Sequence, residues 1–459
     1  MNRGAIVGLD IGSTVVKAAA FDSTGRLTAC ASRPVPVLRP RPSWTERDPE
    51  ETWEAAAAVL RSVAARAGKV AAVGLTGCGN GAVLVGRGGR AVRRGILSGD
   101  TRALGMVDDG DETGHGRGFA GQTAVLLRWL EANEPRVIAR ATTLLFWKDF
   151  VRLRLTGEIC TDYTDAGASG LLDFERRSWM GGRGLMPPLR ASTDGAGAIT
   201  PAASKWVGLP AGTPVYVGAF DCEATALGSG ISKEGDLSVV AGTWAINQTF
   251  SKKPSRAGAL LLCNVSAQHG RWLLLEGGPG SAVNFEWATR TLLGRGGLER
   301  ALRMAAEGQV GQITFIPGIF SGKGAFTGLE ATHGPADLLR AVMEGVVFGH
   351  RLQIEALRAA GLRFKRIRFA GGASRSRLWC QLFADGLGLP LEVPEGEELG
   401  ALGAALCAGV GVGLWRTLPH AQREAVRIAR SFSPYANERA SMDVRFQRFK
   451  NIRSQIQPS

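Results

Sequence analysis

This chain has little that could crosslink it or hold zinc. Its seven cysteines (Cys30, Cys78, Cys160, Cys222, Cys263, Cys380 and Cys407) are odd in number, scattered, and never spaced as C-x-x-C. That argues against both a disulfide framework and a cysteine zinc site. The five histidines show no ligand spacing either. No run of eighteen uncharged apolar residues occurs, so no membrane-spanning helix is expected. The first residues lead into a strand-like segment containing Asp10 rather than an apolar leader, and a cytoplasmic protein is expected. A Walker A sequence is missing; the lookalike Ser321-Gly322-Lys323-Gly324 lacks the upstream glycine spacing and reads as a loop. Acidic residues are outnumbered 41 to 55, giving a net charge of +14. The basic residues are spread along the chain, with only Arg439 to Arg453 locally rich in them, so nucleic-acid binding is not expected.

What is present suits a globular α/β protein. At 459 residues and 45% hydrophobic, the chain has enough apolar surface for about two cores. Ala5 to Asp10 and Val15 to Phe21 read as strands around the turn Ile11-Gly12-Ser13-Thr14, and Arg26 to Pro36 as a third strand. The start is thus an antiparallel meander rather than the strand–helix–strand of a dinucleotide fold. A helix from about Glu50 to Ala67 follows, with Asp48 as its cap and Pro49 at its first position. Near residue 235 the pattern of strand, small-residue turn and strand returns, with Gly242-Thr243 as the turn. Two related α/β domains are therefore expected, with a cleft between them: 1–230, 231–430, and a basic tail at 431–459.

The chemistry-bearing pieces fit phosphoryl transfer, which needs amides to cradle phosphates, a carboxylate for magnesium and a second carboxylate to accept a hydroxyl proton. Asp10-x-Gly12-Ser13-Thr14 sets a carboxylate at a strand end before a Gly/hydroxyl turn, with Lys17 three residues beyond. Glycine permits close backbone approach, the amides and hydroxyls can meet phosphate oxygens, and Asp10 can hold the metal through water. The same pattern also describes a plain hairpin turn. Gly242-Thr243 is the expected opposite phosphate turn. Asp221 ends the strand Pro214 to Phe220 and opens a helix, a position equally open to a helix cap and to a base. Phe369-Ala370-Gly371-Gly372-Ala373-Ser374, followed by a helix carrying Gln381, suits adenosine and phosphate at a glycine turn. Glu398-x-Gly400-Ala401-x-Gly403 reads as a close-packed helix start.

In order along the chain, these pieces resemble the FGGY carbohydrate kinase family. The resemblance rests on the Asp-x-Gly-Ser-Thr start, Trp44-x-Glu46-x-Asp48-Pro49, Ile96-Leu97-Ser98-Gly99-Asp100-Thr101-Arg102, Leu155-Thr156-Gly157-Glu158, Gly212-Thr213-Pro214-Val215, Gly218-Ala219-Phe220-Asp221, Arg340 to Gly345 and the Gly-Gly-Ala-Ser-Arg-Ser segment. It implies a two-domain actin-like (ribonuclease H-like) α/β fold with a mixed central sheet in each domain. It further implies Mg-ATP as donor, Asp221 as the base, sugar mostly on the first half and ATP mostly on the second. The resemblance also points to a homodimer. The family's sugar-contact segment matches Cys78-Gly79-Asn80-Gly81. The Gln-Met-His usual in D-xylulose kinases is absent there, and Ser98 stands where tryptophan is usual. Both features look like L-xylulose (3-keto-L-gulonate) kinases, as does Gly242-Thr243-Trp244-Ala245. Gly79, Asn80, Asp100, Arg102 and Trp244 are accordingly the expected sugar contacts. The ATP contacts are expected at Gly12, Ser13, Thr14, Lys17, Gly242, Thr243, Gly371, Gly372, Ala373 and Gln381. Erythritol or another polyol, D-ribulose and D-xylulose remain alternative acceptors, and an actin-like ATPase without a sugar is the reading outside this class.

Overall fold

A computed structural model describes residues 4–107, 118–181, 184–255, 260–294, 297–320, 322 and 324–456. Ser321 and Lys323 of the glycine–lysine lookalike lie outside the described residues. The chain forms two compact units, and both interleave in sequence. The first comprises Met1–Ser232, Phe250–Leu274 and Glu398–Val426; the second comprises Lys233–Thr249, Leu275–Glu397 and Arg427–Ser459.

The N-terminal part supplies β1 (Ala5–Ile11), β2 (Val15–Phe21), β3 (Leu27–Pro34), α1 (Pro49–Ala67), β4 (Val70–Gly77), α2 (Trp147–Thr156), α3 (Tyr163–Ala168), β5 (Gly195–Ala198), β6 (Pro214–Phe220) and α4 (Asp221–Gly228). Then come β7 (Asp236–Ala241), β8 (Trp244–Ser251), β9 (Trp272–Pro279), α5 (Pro335–Ala359), β10 (Arg366–Ala370), α6 (Arg377–Leu387), β11 (Leu391–Pro394), α7 (Leu399–Gly411), β12 (Ile428–Phe432) and α8 (Ala436–Ile456).

In the first unit a six-stranded mixed sheet runs β5-β6-β4-β1-β2-β3. The meander β1–β2–β3 is antiparallel, and β1, β4 and β6 are mutually parallel neighbours. α1 begins as its sequence dictates: Asp48 accepts the Glu50 N–H, Pro49 occupies the first position, and Thr52, Trp53, Ala56, Val59, Leu60 and Val63 form its buried face. One side of the sheet buries Val7, Leu9, Val73 and Leu75 with that face. The other side buries Ile6, Ala19, Ala72 and Ala219 against Ala401, Leu402 and Ala405 of α7. Small residues let this helix lie on the strands: a Cβ at Gly8 would sit 1.8 Å from the Ala401 carbonyl oxygen. The Glu398-x-Gly400-Ala401-x-Gly403 segment is thus a close-packed helix start, as its composition suggests, within the first unit.

The second sheet has seven strands, with Leu262–Val265 at one edge followed by β9-β8-β7-β10-β11-β12. β7 pairs antiparallel with β8 and parallel with β10; β10 and β11 are parallel, and β12 closes the edge antiparallel. The locally basic segment near the C-terminus forms α8, which buries Met442, Phe446 and Phe449, with both phenylalanines against Phe348 of α5. The two-domain α/β class with a mixed sheet in each half is the one the chain adopts. Among the described residues, no helix is long and apolar enough to cross a membrane.

Candidate functional site

In the first unit the strand ends bring two carboxylates together. Asp10 is the penultimate residue of β1, and Asp221 opens α4 directly after β6. Each keeps a partly exposed residue surface but is ringed by protein. Burial pushes the Asp10 carboxyl up to about 7, and the negative charge of Asp221 adds to the rise. Burial also pushes Asp221 up to about 6, against hydrogen bonds from the Cys222 and Gly79 amides that favour its ionised form. The Cys222 N–H donates to Asp221 Oδ1 at 2.8 Å. Gly400 approaches so closely that a Cβ there would lie 2.8 Å from Asp10 Oδ2. Lys17 faces Asp10 across the β1–β2 ladder but is ion-paired with Glu398 at 3.1 Å.

The turn Gly12-Ser13-Thr14 joins β1 to β2, with Ser13 and Thr14 exposed. Its carbonyls are tied inward by Arg47, which donates to Gly12 O at 2.6 Å and Ser13 O at 3.2 Å. The guanidinium also stacks over Trp147, 4.1 Å from the ring centroid. Sequence reasoning passed over Arg47. Its signal was a cation inside the Trp44-x-Glu46-x-Asp48-Pro49 motif, flanked by two carboxylates that have other work.

Gly79 is buried beneath a ring. A Cβ there would stand 2.2 Å from the Phe220 side chain, so only glycine lets Phe220 close over this loop and bring the Gly79 amide to Asp221. Asn80 follows in the left-handed region at φ 59°, an uncommon conformation for a buried side chain. Its Oδ1 accepts the Thr123 N–H at 3.2 Å. Gly81 lies against Ile96 and Leu97, which brings the Asp100 loop alongside. There Arg102 grips Asp100 with Nε on Oδ1 at 2.9 Å and Nη2 on Oδ2 at 2.8 Å. It also pairs with Glu46 and packs on Trp44 at 3.8 Å. Asp100 Oδ2 further accepts the Thr45 N–H. Asp100 and Arg102 therefore form a buried clamp between the 44–47 and 98–102 segments. Gly79, Asn80 and Asp221 are the candidate residues that the first unit joins most directly.

In the second unit, Gly242-Thr243 forms the β7–β8 turn. The Thr243 carbonyl accepts N–H groups of Gly280 and Ser281, and the Gly242 carbonyl accepts that of Val283. Gly371 packs on the end of β7, with a Cβ there 2.5 Å from the Ala241 carbonyl oxygen, so Gly371-Gly372-Ala373 neighbours the Gly242 turn. Gln381 is turned to other partners: its amide nitrogen donates to Asp385 Oδ1 and Ser433 O, both at 2.9 Å. Trp244 begins β8 and is half exposed. Nearby, the His350 ring bridges Ser281 and Asn247 beside a cavity of about 220 Å³.

A third buried group underlies the Asp221 strand. Lys148 of α2 lies within 2.9 Å of Asp149, Asp162 and Asp165, and Arg152 pairs with Asp149 at 2.7 Å. With three carboxylates around it, Lys148 is held ionised far above its ordinary range despite burial. Sequence reasoning missed this cluster too, although Asp162-Tyr163-Thr164-Asp165 carried its acidic half.

Comparison with known proteins matches both halves. The family model for the N-terminal domain of the FGGY family of carbohydrate kinases covers residues 5–228, and that for its C-terminal domain covers 237–412. The chain is 33% identical over 436 residues to a probable L-xylulose kinase of Pasteurella multocida, spanning 88% of this chain and 90% of the relative. It is 29% identical over 484 residues to the L-xylulose/3-keto-L-gulonate kinase of Escherichia coli, spanning 98% and 97%. Among solved structures it resembles a xylulose kinase from Rhodospirillum rubrum, at 25% identity and a TM-score of 0.88 over 99% of both chains.

Proposed function

We propose that this chain, which belongs to the FGGY family of carbohydrate kinases and is an ATP-dependent sugar kinase, phosphorylates a small ketose, L-xylulose or a related ketopentose, with Asp221 as the base. The observation that carries the assignment of the base is the Asp221 carboxyl itself. It sits at a strand-to-helix junction, touches the Gly79 amide of the sugar segment, and is raised to about 6, close to neutral working pH. A helix cap needs none of this, and Asp221 occupies the first helical turn rather than the capping position held by Phe220.

In the step itself, the acceptor hydroxyl oxygen forms its bond to the γ-phosphorus as its proton passes to Asp221. The bond to the bridging oxygen breaks and ADP leaves. Gly12, Ser13 and Thr14 offer amides and hydroxyls suited to phosphate oxygens, and so, within the second unit, do the turns at Gly242-Thr243 and Gly371-Gly372-Ala373. Lys17 adds positive charge beside that turn. Asn80, with its Oδ1 satisfied by Thr123, has an amide nitrogen left for a sugar oxygen. Asp100 and Arg102 hold the adjoining loop, and Trp244 offers an exposed aromatic face.

Asp10 would hold Mg²⁺. The fit is electrostatic: a carboxyl raised to about 7 by burial and a neighbouring carboxylate is the group a divalent cation would return to its ionised form. One carboxylate plus nucleotide phosphates is a usual Mg²⁺ donor set. When bound, the ion neutralises charge on the β- and γ-phosphate oxygens.

The preference for L-xylulose rests on the missing Met and His around Gly79-Asn80, on Ser98, and on relatives named L-xylulose kinases at 33% and 29% identity. An ADP-release screen over ketopentoses, tetritols, pentitols and keto-gulonates tests it: L-xylulose or a related ketopentose should give the highest kcat/KM. A tetritol as best acceptor would replace this assignment. Asp221→Asn should lower kcat by about 10²–10⁴-fold, and retention of more than about 1% of activity would remove Asp221 from the role.

A further inference from the structure

We propose that Thr164 and Thr76 are positioning residues for the base, two buried hydroxyls that hydrogen-bond the backbone at the end of β6 and so fix where Asp221 points. The proposal rests on Asp221 being the base.

The strand that delivers Asp221 does not run straight to its end. It pairs with β4 at Val215↔Val73 and Tyr216↔Gly74, slips, and resumes at Ala219↔Thr76 and Phe220↔Gly77. The irregularity falls at Val217–Gly218, where Gly218 has φ +79° and a Cβ would lie 1.6 Å from the Leu75 carbonyl oxygen. Such a bulge re-aims the residues beyond it and leaves backbone groups that must find other partners. Val217 N–H goes to the Asp194 carbonyl, and Gly218 N–H to that of Ser192. Two backbone groups just ahead of Asp221 meet threonine hydroxyls. Thr76 Oγ1 donates to Ala219 O at 2.7 Å. The Phe220 N–H donates to Thr164 Oγ1 at 2.9 Å.

The Thr164 hydroxyl has one direction available. Phe220 N–H can only donate to it, so its own proton goes to Asp162 Oδ2, 2.5 Å away. That oxygen also accepts the Thr164 N–H at 2.8 Å and the Ser192 hydroxyl at 2.9 Å, while Asp162 Oδ1 faces Lys148 at 2.9 Å. Thr76, Thr164, Asp162 and Lys148 are all essentially inaccessible to water. The chain Lys148–Asp162–Thr164–Phe220 therefore ends one residue ahead of the base, in a setting where no solvent can substitute for a lost partner. Phe220 carries the effect further, because its ring closes over Gly79, whose amide donates to Asp221. Displacing Phe220 moves both the carrier of the carboxylate and one of the donors that holds it.

Valine keeps the shape of threonine and removes the oxygen; serine keeps the oxygen. Thr164→Val should lower kcat about 10- to 100-fold with the KM values for sugar and ATP little changed. The acid limb of its pH–rate profile should move upward, since a loosened Gly79 amide no longer favours the ionised carboxylate. Thr164→Ser should restore most of kcat and return the limb to its original place. Wild-type kcat and an unmoved limb in Thr164→Val, beside an inactive Asp221→Asn, would overturn the positioning role and leave the base assignment standing. An active Asp221→Asn would overturn the base assignment and with it the purpose given to these threonines. Should Thr164→Val fail to fold, Thr76→Val decides: a fall in kcat at constant KM supports the proposal, and unchanged kcat overturns it.

Discussion

The Arg47 guanidinium donates to the backbone carbonyl of Gly12 at 2.6 Å from beneath the first β-hairpin, while its flat face rests on Trp147. A buried cation spent on two carbonyls of an exposed turn holds that turn in one shape. Burial lowers its pKa, against the opposing pull of the Cys78 side chain beside it, so the position is costly for packing alone. Arg47→Met should keep Tm within a few degrees, because the buried charge leaves along with its contacts. The loosened turn should raise the ATP KM about tenfold, measured by initial rates at saturating sugar. An unchanged ATP KM would separate Arg47 from nucleotide binding.

The pH dependence of kcat/KM should carry an acid limb near 6. Asp221 accepts a proton only when ionised, and burial raises its carboxyl to about 6, so activity should drop about tenfold per pH unit below that point. Because Asp10 adjoins it and is itself raised to about 7, the limb belongs to the pair rather than to one residue. A profile flat down to pH 5 would contradict this.

Asp10 should weaken the nucleotide-free fold at neutral pH. Its carboxyl is raised in the folded state from 3.8 to about 7, so between those values the folded form binds more protons than the unfolded one. Its contribution to stability is therefore present at low pH and lost as pH rises through about 7. Asp10→Asn should have a higher Tm than the parent at pH 8, by on the order of 5 °C, with the gain vanishing near pH 4. The same variant should lose turnover. Calorimetry at the two pH values reads the first effect and ADP release the second.

His350 acts in the opposite direction. Asn247 Nδ2 donates to Gln353, which leaves Asn247 Oδ1 to accept from His350 Nδ1 and makes His350 Nε2 the acceptor for Ser281. Burial pushes this neutral ring down to about 3. Below about 6.5 the unfolded chain gains a proton that the folded chain refuses, so stability falls as pH falls. The loss should reach about 1 kcal/mol at pH 5.5 relative to pH 7.5. His350→Gln should flatten that slope in urea titrations at the two pH values.

The parts of the fold readable in sequence were those written by neighbours. The β1–β2 turn, the Asp48 cap with Pro49, and the small-residue helix at Glu398 each depend on residues a few positions apart. Asp221 was readable as a residue at a strand-to-helix junction, and the order of motifs around it is what favours reading it as a base over a cap. Arg47 and Thr164 stayed hidden because their partners lie far along the chain: Arg47 meets Gly12 across 35 residues and Thr164 meets Phe220 across 56. Gln381 was read as a nucleotide contact from its place after a glycine turn, but local spacing could not reveal the competing partners Asp385 and Ser433. Chain order likewise suggested that Glu398–Val426 packs with the second half. Which sheet a helix covers is decided by complementary small residues, here Gly8 against Ala401, and not by proximity in sequence.

The return of α7 to the first sheet has a consequence for biosynthesis. Ile6, Ala19 and Ala72 leave the ribosome well before the helix that shields them, which begins at Leu399. Until that helix emerges, one face of the sheet stays apolar and uncovered. Nascent chains of this length should therefore draw on chaperones during synthesis. A stop codon placed after residue 232 should yield an aggregating fragment rather than a free-standing half.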